Sequence, residues 1–208
     1  GLAYLAAMVE GEGHAARIID GMAEPMVLEE LEKEAHDWHP DIIIANSATP
    51  TFQNDALVID HLQRATAAIC GFVGPHVSAL PVEALKESTA DFGLINEADE
   101  SVAELVWAVS QLAGKHSGEG DERTAEEVRK VFENIKGLVW RVPGSHAALD
   151  SMDTPSEVEV VVNEPRPMIK NLDELLLPAR HLLPNDKYRM PFFGDHPFAT
   201  IIPSRGCP

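Results

Sequence analysis

Positive charge is scarce in this chain, cysteine is scarcer, and there is no uninterrupted apolar run of membrane length. Sixteen Lys and Arg stand against 34 Asp and Glu, a net charge of −18. Such a balance excludes a general phosphate-neutralising surface, so nucleic acid is not an expected partner. It equally argues against docking on an anionic membrane, and it reads as a source of solubility. Two cysteines, Cys70 and Cys207, make no disulfide framework and point to a reducing cytoplasm. Cys70, within the apolar "AAICGFVG", reads as a small buried thiol. No stretch reaches the length of a membrane span, and no signal peptide is visible. Also missing are a G-x-G-x-x-G after a strand and a Walker sequence; "GEGH" at 11–14 follows a helix instead. His36 and His39 in "HDWH" share a helix face but lack a third ligand, so they read as solvated surface groups. No Ser/His/Asp constellation stands out.

What is present is alternation. Hydrophobic residues make up 45% of the chain, enough for a buried core. A helix in "LAYLAAMVEGEGH", with a Gly-rich exit at Gly11 and Gly13, leads to a short strand at 16–20, then an amphipathic helix at 26–39. "DIIIANSA" (41–48) and "AICGFVG" (68–74) are near-continuous apolar strands of the kind buried on both faces of a parallel sheet, with a helix at 55–67 between them. The loop "GPHVSALP", a short helix near 81–87, a strand at 91–96 and a helix at 100–113 follow. This order predicts an α/β fold, a Rossmann-like doubly wound parallel sheet. Beyond the Gly- and charge-rich break near 114, a helix at 124–135 and strands at 136–144 and 157–167 predict a small hairpin, and Leu-rich turns between prolines predict a connector. Three parts are therefore expected: 1–114, 115–197, and a new strand beginning in 198–208. The chain opens in a helix where this fold places a strand. We therefore expect it to be a piece of a longer protein that lacks its first, central strand and is poorly stable alone.

Ligands of open parallel sheets bind outside the carboxyl ends of the strands. That rule selects four loops, those after "RIID", "DIIIANSA", "AICGFVG" and "DFGLIN", and the last three offer candidate residues. One carries Ser47, Thr49, Pro50, Thr51 and Asn54, the next Gly74, Pro75, His76 and Ser78, and the last Asn96, Glu97 and Ser101. Small hydroxyl groups and glycine can bond the polar rim of a large flat ligand without filling its space. Each loop also has a purely structural reading: Thr-Pro-Thr with Asn54 or Asp55 as a helix cap, and Gly74-Pro75 as a turn.

The segments "GLAYLAAMVEGEGHAARIID", "PDIIIANSATPTFQND", "GFVGPHVSALP" and "INEADESVAELV" resemble the cobalamin-binding domain of cobalamin-dependent radical S-adenosylmethionine enzymes. "PRPMIKNLDELLLPARHLLPNDKYR" is similar to that family's connector and "FATIIPSRGCP" to the opening of its radical domain, while 145–156 reads as an insertion. The resemblance implies that the three loops hold cobalamin. It implies that Cys207 is the first ligand of a C-x-x-x-C-x-x-C [4Fe–4S] cluster, which cleaves S-adenosylmethionine in the full-length parent, and that the rest of the radical barrel is a partner in cis. The implied parent reaction is methyl transfer to an unactivated carbon or a radical ring closure. No D-x-H-x-x-G is present, "DGMAEP" standing in its place, so a lower histidine ligand from that motif is not expected. Where the family's fourth loop reads G-E-G-E, this chain has "NEAD": Glu97 and Asp99 keep the acidic positions, and Asn96 and Ala98 replace glycines whose backbone freedom is lost. A non-enzymatic binding module of the same fold, without corrin, is the competing reading, and "NEAD" is its support. A carbohydrate- or nucleotide-modifying Rossmann enzyme has no phosphate loop to support it.

Overall fold

A computed structural model describes residues 1–113, 125–142, 158–190, 192, 194 and 196–206. Its centre is a five-stranded sheet in the order β1-β2-β3-β4-β5. Strands β1 (Ile42–Asn46), β2 (Ile69–Val73) and β3 (Phe92–Leu94) run parallel. Strands β4 (Leu138–Arg141) and β5 (Val160–Val162) continue the same sheet antiparallel.

Alternation along each strand splits the core in two. Ile42, Ile44, Val73, Phe92, Leu94, Leu138 and Trp140 face one side, where α1 (Leu2–Gly11), α6 (Asp99–Ala113) and α7 (Ala125–Phe132) cover them. Helix α6 brings Val102, Leu105, Val106 and Val109 at the i, i+3, i+4, i+7 spacing of a buried helical stripe. Cys70, Phe72 and Val139 face the other side, under α3 (Phe52–Ala65), α4 (Pro75–Ala79) and α5 (Pro81–Lys86). Helix α2 (Leu28–Trp38) lies against α3. Helices on both faces of the sheet are the doubly wound arrangement expected from the sequence. On the first of these faces the Phe92 ring lies over its register partner Gly71, where a Cβ would fall 2.5 Å from the ring.

Several expectations need correction. Residues 16–20 form no strand. Arg17 pairs with Glu34 of α2 at 2.7 Å, and Asp20 accepts the backbone N–H groups of Met22 and Ala23, so the segment is held by side chains rather than by a ladder. The loop "GPHVSALP" contains α4, opened by Pro75 at a position where a missing N–H costs nothing. Helix α3 begins three residues early: Thr51, not Asn54 or Asp55, is its N-cap residue. Residues 198–205 make no strand, because none of the described residues supplies them a ladder partner. The hairpin is not a separate small sheet but the outer part of the main one. The connector forms two 3-10 turns, Leu172–Glu174 and Arg180–Leu182. It lies along α1, with the Ala179 N–H donating to Ala3 O at 2.8 Å. The expected insertion at 145–156 lies outside the described residues, as does the boundary near 114.

Candidate functional site

Three parallel strands deliver their ends to one edge, and the loops there are joined by backbone contacts. Gly74, after β2, has φ +118, a region that disfavours a side chain. A Cβ there would sit 2.5 Å from Ser47 O and 2.8 Å from Asn46 Oδ1. The Ser47 N–H donates to Val73 O at 2.8 Å, which carries the ladder one residue past β1. Ser78 links the next pair: its hydroxyl donates to Gly74 O at 2.9 Å and accepts the Asn96 N–H at 2.9 Å. Asn96 has φ +61. It thus keeps the left-handed backbone that a glycine would give, because asparagine tolerates that region better than other side chains.

Behind this rim lie two buried polar side chains with unused atoms. Ser47 is fully buried and its Oγ has no hydrogen-bond partner among the described residues. His76 is 6% exposed. Its Nδ1 lies 3.2 Å from Thr49 Oγ1 and its ring stacks on Phe52 at 4.0 Å, while Nε2 has no partner among the described residues. A buried polar atom left unpaired costs roughly 1–3 kcal/mol, so two such atoms at adjacent strand ends are suited to a ligand that supplies what they lack.

The fourth loop is engaged within the protein. Glu97 Oε2 accepts the Ile169 N–H at 2.7 Å. Asp99, the first residue of α6, receives two guanidinium N–H groups of Arg205, at 2.6 and 3.0 Å. Arg205 also lies 3.6 Å from Glu97 Oε1 and over the Tyr4 ring, 5.1 Å from its centroid. The hydrogen bond to Asp99, more than any other influence, raises the Arg205 pKa and holds it charged. Ser101 is absorbed into the scaffold: it donates to Lys136 O at 2.7 Å and accepts from Arg166 Nε at 2.9 Å.

A cleft of about 260 Å³ opens at this edge, between Tyr4, Asn46, Gly74, Asn96, Glu97 and Arg205. It is smaller than the roughly 300–1,000 Å³ of sites that enclose a whole small molecule, so it suits one portion of a large ligand. Of the residues expected from sequence, Gly74, Asn96 and Glu97 line it. Ser47 and His76 are buried at the ends of the neighbouring strands, and Ser78 joins two of the loops. Thr49 holds His76, and Thr51 is turned to Asp55 Oδ2 at 2.7 Å, a local turn contact. Pro50, Asn54 and Pro75 are exposed. Sequence reasoning misses Tyr4, Asn46, Asp99 and Arg205 as residues of the cleft. The acidic position of Asp99 in "NEAD" is the only signal among them. Cys207 lies outside the described residues. Among those described, no group of three or more His, Cys, Asp or Glu could hold a metal, and no helix is long and apolar enough to cross a membrane.

Comparison with known proteins gives three findings. The B12 binding domain family matches residues 1–106, just over half of the chain. The "Uncharacterized methyltransferase PH0819" of Pyrococcus horikoshii is 32% identical over 214 residues, an alignment covering 100% of this chain and 38% of that protein. The radical S-adenosylmethionine methyltransferase TsrM from Kitasatospora setae, solved with tryptophan substrate and a SAM analogue, shares the fold with a TM-score of 0.53 and 18% identity. TsrM solved with cobalamin and a [4Fe-4S] cluster gives a TM-score of 0.50, also at 18% identity. Both superpositions cover 67% of this chain and 25% of TsrM. The chain thus spans little more than a third of the curated relative it matches, and a quarter of the solved one.

Proposed function

The chain belongs to the B12 binding domain family, and from that premise we propose that it holds cobalamin at the sheet edge, as part of a longer radical S-adenosylmethionine enzyme that methylates an unactivated carbon. The observation that carries the reading is the pair of buried, unpartnered polar atoms, Ser47 Oγ and His76 Nε2, at the ends of β1 and β2. They fit a large ligand with many polar side groups, and the glycine-like backbone at Asn96 leaves the rim open for it. Gly74, Asn96 and Glu97 would line the entrance; Ser47 and His76 would bond the buried portion, with Thr49 holding the imidazole by its other nitrogen. Thr51, Asn54, Pro50, Pro75 and Ser78 would shape the loops. Bound cobalamin supplies a carrier for the methyl group; the protein supplies its position. The name of the Pyrococcus relative supports methyl transfer over ring closure. In the parent, Cys207 would be one thiolate of a [4Fe–4S] cluster that binds S-adenosylmethionine.

The test is incubation with hydroxocobalamin, desalting and a visible spectrum. Retained corrin, with a spectrum that lacks lower-base coordination, is the expected result. Colourless protein, from this chain and from the full-length parent alike, would favour the module without corrin. Ser47→Ala sharpens the experiment. Removing an orphaned hydroxyl should leave the melting temperature of the corrin-free protein unchanged or raise it, while weakening corrin binding about tenfold. A hydroxyl that mattered only to folding would do the reverse. In the full-length protein, Cys207→Ala should abolish the cluster's absorbance, and an undiminished cluster would remove Cys207 from the ligand set.

A further inference from the structure

The acidic residues of the fourth loop face a cleft, yet their oxygens are already taken. Glu97 Oε2 holds the backbone of Ile169, and both Asp99 oxygens hold Arg205. Arg205 comes from the far end of the chain, 106 positions away from Asp99, and it stands two residues before Cys207. Its segment has few other attachments. Residues 198–205 have no ladder, Ile201 is 79% exposed, and the backbone is tied upstream by Arg180 Nη2 donating to Thr200 O at 2.5 Å. The fork on Asp99 is of a different quality. A bidentate guanidinium–carboxylate pair is among the stronger and more directional polar contacts, and here the two side chains are only 20% and 6% exposed. The Tyr4 ring beneath the guanidinium adds a cation–π contact. Arg205 and Ile202 line the cleft together with Gly74 and Asn96. Ile202 and Tyr4 also line a second cavity of about 270 Å³ beside it. The segment therefore lies across the opening rather than away from it.

We propose that Arg205 is a positioning residue, a latch that fastens the segment leading to Cys207 across the mouth of the cofactor cleft through Asp99, Glu97 and Tyr4. The acidic pair of the fourth loop, while still walling the cleft, then has its oxygens committed to the chain's own later segments, Ile169 and Arg205. This rests on the cobalamin reading of the cleft, since the latch sets how a corrin would enter and leave. The fourth loop thereby acquires a second role, because the end of α6 that borders the cleft is the same structure that orients the approach to the cysteine.

Two readouts test the latch. Backbone amide order parameters from nuclear magnetic resonance of the corrin-free protein need no cofactor and report mobility without requiring a hydrogen bond. Arg205→Ala should lower them in 200–206 and leave the strands unchanged. Asp99→Ala combined with it should add nothing further to that segment, and Arg205→Lys, which keeps the charge but not the fork, should restore part of the order. With hydroxocobalamin bound, Arg205→Ala should speed corrin release about tenfold, the scale of one charge-assisted hydrogen bond, with little change in melting temperature. Order parameters in 200–206 that are the same in wild type and Arg205→Ala would overturn the proposal. So would additive effects of the two single variants, or an unaltered release rate. Failure of the wild-type protein to retain any corrin would instead strike the cobalamin reading, while the order parameters would still judge the latch.

Discussion

At the scale of single residues, backbone conformation outweighs residue identity in the fourth loop. The sequence suggested that Asn96 and Ala98 had cost the loop its glycine freedom. Asn96 nevertheless adopts φ +61, and Ala98 is buried at 3% exposure with no left-handed backbone. Only one of the two positions needed permissiveness, and asparagine supplies it. Asn96→Gly should therefore change stability by less than about 0.5 kcal/mol, and Asn96→Val should cost about 1–2 kcal/mol, read by urea denaturation. A second residue, Asp91, gives a pH signature. Burial raises its pKa, against the opposing pull of the Cys70 N–H, Arg141 and Gln63. Burial likewise pushes the Cys70 thiol up to about 12, as suits the inert core thiol expected from sequence. Because folded Asp91 holds its proton to a higher pH than the unfolded chain does, its contribution is fully present below the ordinary aspartate value. It is lost as pH rises through the raised, folded value. Against Asp91→Asn, wild-type protein should lose ground in melting temperature across that acidic window and then run parallel to the variant. A difference that widened in favour of wild type on going to neutral pH would contradict the burial account.

Among the elements, the amino end of α6 is the junction of the molecule. Arg166, following β5, reaches it with Nε on Ser101 Oγ at 2.9 Å and Nη1 on Glu100 at 2.9 Å. Glu104 stands 2.5 Å from Nη2. Ile169 and Arg205 bind the same turn through Glu97 and Asp99. Carboxylates in a first helical turn also complement the helix dipole. The side chain of Arg166 is 10% exposed, but those of Glu100 and Glu104 are about half exposed, so water can solvate their carboxylates when Arg166 is lost. Arg166→Ala should therefore cost about 1–2 kcal/mol, less than a fully buried pair would. Glu100→Gln alone should cost under about 1 kcal/mol by the same denaturation measurement. Strands β1 to β5, α3 and α6 were legible because short apolar runs and the 3.6-residue helical period are local signals. Helix α4 was not, since five residues opened by Gly74-Pro75 read equally as a turn. The strand expected at 16–20 failed for another reason: Ala16 and Ile18 do pack, against Ala6, Ala7 and Ala179, but packing does not require a ladder.

For the whole molecule, the carboxyl-edge rule located the cleft, because it depends only on strand direction. The rule could not supply Tyr4, Asp99 and Arg205, which meet there from the first turn of α1, the start of α6 and the last described residues. No periodicity links positions so far apart. The same long-range closure leaves an imbalance on the surface. Phe192 is 90% exposed, Ile201 79% and Leu177 88%, all on the connector or the segment after it. Scattered apolar side chains on a surface are ordinary, but three large ones in so short a run suit contact with the further domain we propose for the parent. In this 208-residue chain, Phe192→Ser and Ile201→Lys should each alter stability by less than about 0.5 kcal/mol, since neither side chain is packed. Both should reduce the binding of an environment-sensitive apolar dye. In the full-length protein the same substitutions should raise amide exchange in 190–206. Equal exchange in substituted and unsubstituted full-length protein would mean that these side chains face solvent there too, and that the downstream domain meets this one elsewhere.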